Sequence, residues 1–84
     1  MIKKKKILSS YRYLHKKYDI TLVEGAGGVM VPVYKKYLFI DLMKDMNATV
    51  LIVTRLGLGT INHTLLTIDT LRVRGVDTVG VVIN

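Results

Sequence analysis

Glu24 is the only glutamate in the 84-residue chain, and it stands directly before Gly25, Ala26, Gly27 and Gly28 in the stretch VEGAGGVMVP. A carboxylate at the end of an apolar run is an oxygen ligand of the kind Mg²⁺ takes while keeping several of its waters. Glycines beside it let backbone N–H groups approach an anion, because no Cβ intervenes. An ordinary glycine turn with a solvated carboxylate has the same composition, since a lone glycine cluster is a weak marker.

The second stretch is LGTINH, residues 58 to 63. It precedes a helical pattern, and a helix start offers unpaired N–H groups and the positive end of a dipole, which suit a carboxylate or phosphate. A simple helix cap is the plain alternative. His63 reads as a packing or hydrogen-bonding residue, because no second ligand has metal-site spacing. The chain contains no G-x-x-x-x-G-K-[ST] phosphate loop and no Ser/His/Asp arrangement of a triad.

These stretches need elements to hold them. Ile7, Tyr11, Leu14 and Tyr18 keep helical spacing, so a helix is expected over about residues 3 to 17. Ile20-Thr21-Leu22-Val23 reads as a short buried strand ending at Glu24. Residues 25 to 36 read as a long loop with one extended piece at Val29–Val33. A short helix is expected over Leu38–Met46. Thr49 to Thr54 is a strand with the near-continuous apolar run expected where both faces are covered. Thr60 or Asn62 can cap a helix running to Arg74, and Gly75 stops it. Thr78 to Ile83 is the last strand, and Asn84 follows it. Strands separated by helices argue for a parallel α/β sheet, with ligands at the carboxyl ends of the strands. Residues following all three expected strands (Glu24–Gly28, Thr54–His63 and Asn84) would then share one edge.

The formal charge is +7, and seven basic residues (Lys3, Lys4, Lys5, Lys6, Arg12, Lys16, Lys17) precede the first acidic one, Asp19. Such a block can meet nucleic acid or another anion, but it usually forms a solvated helix face. No nucleic-acid-binding motif accompanies it. Without cysteine there is no disulfide and no thiol catalysis, which is compatible with a reducing cytoplasm. The lysines are not followed by an apolar signal-peptide core, and no run is long enough to span a bilayer. At this length a single domain, or part of a larger one, is expected.

Taken together, VEGAGGVMVP, LGTINHTLLT and the terminal VGVVIN resemble dethiobiotin synthetase. The likeness covers the chain from about Tyr18 onward and loosely the helix before it. It implies a P-loop NTPase-like parallel α/β sheet with flanking helices, present in part over residues 1–84 as about three strands. It implies an ATP- and Mg²⁺-dependent ligase that joins CO₂ to 7,8-diaminopelargonate to close the ring of dethiobiotin, in a cytoplasmic homodimer. By the same likeness Glu24 matches the carboxylate that binds Mg²⁺. Gly25, Ala26, Gly27, Gly28 and Pro32 match the loop lining the carbamate and substrate. Gly59, Thr60, Ile61 and Asn62 match the helix start that holds the substrate's far carboxylate across the dimer interface. Asn84 matches the residue that recognises adenine. The family's phosphate loop, catalytic lysine and Mg²⁺-binding aspartate have no counterpart here. Activity is therefore expected only with a separate N-terminal polypeptide carrying that loop. A cobyrinate-type amide synthetase, which shares a VEGAG run, and a basic α/β binding module are the other readings.

Overall fold

A computed structural model describes residues 3–84, and the elements run α1 (Lys4–Lys17), β1 (Pro32–Tyr34), β2 (Tyr37–Leu38), α2 (Phe39–Asp45), β3 (Val50–Thr54), α3 (Thr60–Val73) and β4 (Thr78–Ile83). β3 and β4 pair in parallel across the α3 connection, from Val50 opposite Thr78 to Thr54 opposite Ile83. The Val50 amide bonds the Asp77 carbonyl at 2.8 Å, and the Asn84 amide bonds that of Thr54 at 2.8 Å, closing the ladder at both ends. The fold class is parallel α/β, as the sequence indicates.

The strand expected at Ile20–Val23 does not form. The segment has no ladder partner, and Leu22 is 93% exposed. β-propensity describes a fit to a pleated, paired surface, and no strand lies beside this run to supply one. Two strands, not three, therefore form the parallel sheet. A separate antiparallel hairpin adds β1 and β2, with Tyr34 opposite Tyr37 across a turn in which Lys35 takes a left-handed φ of 51°. This hairpin replaces the last part of the long loop expected there, from Pro32 on.

α2 organises the core although it is only seven residues long. Ile40 and Leu71 are fully buried and pack with Ile52 and Val76, so α2 and α3 cover the same face of β3. Leu42 and Met46 pack instead with Leu8 of α1. The stripe expected on α1 is only half used. Ile7 and Tyr11 pack on this second cluster, whereas Leu14 and Tyr18 stay exposed, because α2 reaches only the first turns of α1. Leu51 and Val53, which alternate with Ile52, are exposed, so β3 is covered on one face and not on both.

Both later helices end in the same way. The Gly75 amide bonds Arg72 O at 3.1 Å and the Val76 amide bonds Leu71 O at 2.9 Å; the Asn47 and Ala48 amides repeat the pattern on Lys44 (2.9 Å) and Met43 (3.0 Å). This is the Schellman closure, and it needs a left-handed residue after the cap. Gly75 at φ 75° and Asn47 at φ 52° supply it. Leu71 and Val76 also share the core, the apolar contact that accompanies this closure.

Candidate functional site

The glycine loop is fastened to the start of α2. The Phe39 amide donates to Val31 O at 2.8 Å, the Ile40 amide to Val29 O at 2.9 Å, and the Val31 amide to Gly28 O at 3.2 Å. The Leu38 amide donates to the Asp41 carboxylate at 2.8 Å. The first amides of α2, which no intrahelical carbonyl can satisfy, are thus consumed by the loop and by Asp41. The far end of the Phe39 ring fills the space that a Cβ at Gly25 would need. Glu24 and Gly25–Gly28 stand exposed along this loop, and Pro32 opens β1.

The start of α3 is open by contrast. Its N-cap is Gly59, with φ 82° and no side-chain cap, so neither Thr60 nor Asn62 caps the helix as expected. Thr60 is already its first residue, and its amide donates to Gly57 O at 3.3 Å. A left-handed residue before the helix lets the chain turn sharply into it, leaving the threonine hydroxyl no place in the cap. His63 makes a regular helical bond to Gly59 O at 3.0 Å. The Ile61 and Asn62 amides have no acceptor among the described residues. Asn62 also lines an open hollow along α3 with Leu65, Leu66, Ile68, Asp69 and Arg72.

Asn84 continues β4 beside Thr54, and its side chain makes no hydrogen bond among the described residues. Gly59–Asn62 and Asn84 therefore belong to the carboxyl end of the β3–β4 sheet. The Glu24 loop is held to α2, and no described hydrogen bond joins it to that edge. Among the described residues no group of three His, Cys, Asp or Glu side chains is placed to hold a metal ion. Glu24 is a single exposed oxygen donor, a donor set that suits an ion retaining most of its waters.

Sequence reasoning missed Phe39, which fixes the loop. The available signal was a glycine that must pass close to a helix start. The clearest electrostatic cluster lies away from these residues. Tyr37 donates to the Asp45 carboxylate at 2.6 Å, with the Lys4 ammonium 3.5 Å from that carboxylate and 4.8 Å from the Tyr37 ring centre. The bond from Tyr37, reinforced by Lys4, holds Asp45 below the usual carboxylate range. Burial, and then the bond to Asp45, raise the Tyr37 phenol well above its ordinary value.

A family model described as an AAA domain matches residues 1–84, in keeping with a P-loop NTPase-like α/β architecture. The chain is 48% identical over 79 residues to the ATP-dependent dethiobiotin synthetase BioD of Methanococcus vannielii, covering 94% of this chain and 37% of that protein. It is 49% identical over 81 residues to the protein of the same description from Methanocaldococcus jannaschii, covering 96% of this chain and 38% of the relative. The counterpart from Aquifex aeolicus is 49% identical over 74 residues, covering 88% of this chain and 34% of that protein. No solved structure gives a significant match. The chain belongs to the dethiobiotin synthetase family, and it spans little more than a third of the length of these curated relatives. Among the described residues no helix is long and apolar enough to cross a membrane.

Proposed function

We propose that this chain supplies the substrate-side part of an ATP-dependent dethiobiotin synthetase, converting CO₂, 7,8-diaminopelargonate and ATP to dethiobiotin, ADP and phosphate in the cytoplasm. Family membership supports the reaction class. The observation in this molecule that carries the reading is the pair of unsatisfied amides, Ile61 and Asn62, at the open start of α3. Two free N–H groups at the positive end of a 14-residue helix suit a carboxylate, and the diamine substrate carries one at its far end.

In this reading Gly59, Thr60, Ile61 and Asn62 hold that carboxylate, contributed across a homodimer interface. Gly25, Ala26, Gly27, Gly28 and Pro32 line the reacting amine and its carbamate, with backbone N–H groups free to approach because the loop carries almost no side chains. Glu24 holds Mg²⁺, which when bound neutralises phosphate charge, and the Asn84 amide group recognises adenine. Phosphoryl transfer depends on positioning and electrostatic stabilisation. These 84 residues contain no phosphate loop, so in this reading the phosphate-clamping groups come from a part of the enzyme outside them.

The test is to mix the chain with the complementary N-terminal part of the Methanocaldococcus jannaschii relative and measure dethiobiotin formation. ATP-dependent product is expected from the mixture, none from either piece, and a large loss with Glu24→Gln. An associated mixture that makes no product overturns the reading of the reaction. An unchanged rate for Glu24→Gln overturns the metal role.

A further inference from the structure

The loop after Glu24 needs glycine at two positions for different reasons. Gly27 has a left-handed φ of 86°, a conformation that a side chain disfavours. Gly25 has no positive φ, so its backbone would accept a Cβ. What excludes one there is Phe39, because the three atoms nearest to such a Cβ are the Cζ and the two Cε atoms of that ring. A Cβ at Gly28 would meet nothing within 4 Å. Gly25 and Phe39 are thus a matched pair, and a phenylalanine that only filled the core would make no such demand.

Phe39 is itself held from the other side. It packs against the cluster of Leu8, Leu42 and Met46. Its amide donates to Val31 O at 2.8 Å, beside the Ile40 amide on Val29 O at 2.9 Å. One residue therefore grips the loop twice, through its ring at Gly25 and through its amide at Val31. These bonds take carbonyls of the loop and leave its donors alone. The amides of Gly25, Ala26, Gly27 and Gly28 have no acceptor among the described residues.

We propose that Phe39 is a positioning residue of the substrate site, holding Gly25–Gly28 in the conformation in which their free amides bind the reacting end of the diamine. This role rests on the reading of the reaction given above. Phe39 touches no reacting atom and acts through Gly25 and Val31. Its effect is on a population: a loop that spends a tenth of its time in the binding conformation binds about tenfold more weakly. The affinity concerned is that of the diamine, since the groups assigned to adenine and to the phosphates lie outside this loop.

The test is steady-state kinetics on the reconstituted mixture described above, with Phe39→Leu, Gly25→Ala and the double variant in this chain. Phe39→Leu should raise KM for 7,8-diaminopelargonate about tenfold and leave KM for ATP within about twofold. Loss of folded protein lowers the rate but moves neither KM, so the split separates positioning from packing. Gly25→Ala should give the same split without touching the core cluster, which decides the matter if Phe39→Leu does not fold. In the double variant the new methyl takes the space that the ring gives up, and KM should return most of the way. Unchanged KM values, equal rises for both substrates, or a double variant no better than the single ones overturn the proposal. An unsubstituted mixture that makes no product overturns the reaction reading, and hydrogen exchange then decides whether Phe39 holds the loop. Faster exchange at residues 25–31 in Phe39→Leu, slowed again in the double variant, supports the hold; equal exchange overturns it.

Discussion

Phe39 occupies the space that a side chain at Gly25 would need, so the loop after Glu24 packs on the first turn of α2. The loop's carbonyls take the Phe39 and Ile40 amides, and the far end of the Phe39 ring lies against Gly25. The loop that follows Glu24 is thus anchored by a helix later in the chain.

Gly25→Ala should therefore destabilise the chain by about 1–3 kcal/mol, the usual cost of overpacking. Phe39→Leu, which removes the flat ring, should recover part of that loss. Denaturant midpoints for the two single variants and the double variant measure the coupling. Strict additivity would show that the two residues do not meet.

Leu71 is fully buried and is also the residue whose carbonyl closes the end of α3. Leu71→Ala should cost about 2–5 kcal/mol by cavity formation. That is a large part of what a small domain possesses, so chemical denaturation should show a much earlier midpoint or no folded baseline. Ile40→Val, in the same cluster, should cost about 0.5–1.5 kcal/mol.

The two helix ends predict opposite responses. Gly75→Ala places a Cβ in the left-handed region and should cost about 1–2 kcal/mol. Asn47→Gly relieves the same strain at the end of α2 and should be neutral or slightly stabilising. Thermal melts of both variants check the pair, and a fall in both would mean that Asn47 has another role.

The Tyr37–Asp45–Lys4 cluster sets the pH response. Asp45 has a folded-state pKa below its unfolded value, so its contribution is present at neutral pH and is lost as pH falls through the folded value. Tyr37 is shifted upward, so its contribution is full below its unfolded value near pH 10 and declines above it. Tyr37→Phe should flatten both limbs of the stability–pH curve while leaving the middle nearly level. Unfolding midpoints across pH, compared with the unsubstituted chain, would show this. A Tyr37→Phe curve as steep as the parent's below pH 5 would rule out the bond as the cause.

The parts of the fold that were legible in the sequence are those with local causes. α3 shows in its helical spacing and in Gly75, and β3 and β4 show in their apolar runs. The Ile20–Val23 run has the same composition as those strands but lacks a neighbour, and pairing is not a local property. The β1–β2 hairpin was hidden because Lys35 occupies a left-handed turn position more often given to glycine or asparagine. Leu8 was missed because helical spacing names several possible stripes, and the position of α2 selects among them. At the site, the residues were visible as chemistry. The free amides of α3 and the Phe39 cover depend on a glycine cap and on a contact distant in sequence.

The brevity of α2 has a kinetic consequence. Ile40 belongs to the cluster on the sheet, while Leu42 and Met46 belong to the cluster under α1. If this one element melts, both clusters lose a wall together and the glycine loop loses its anchor. Its amides should therefore exchange with solvent deuterium at the slow, global rate, despite the usual fraying of so short a helix. α1, held only by its first turns, should exchange progressively faster toward Lys17.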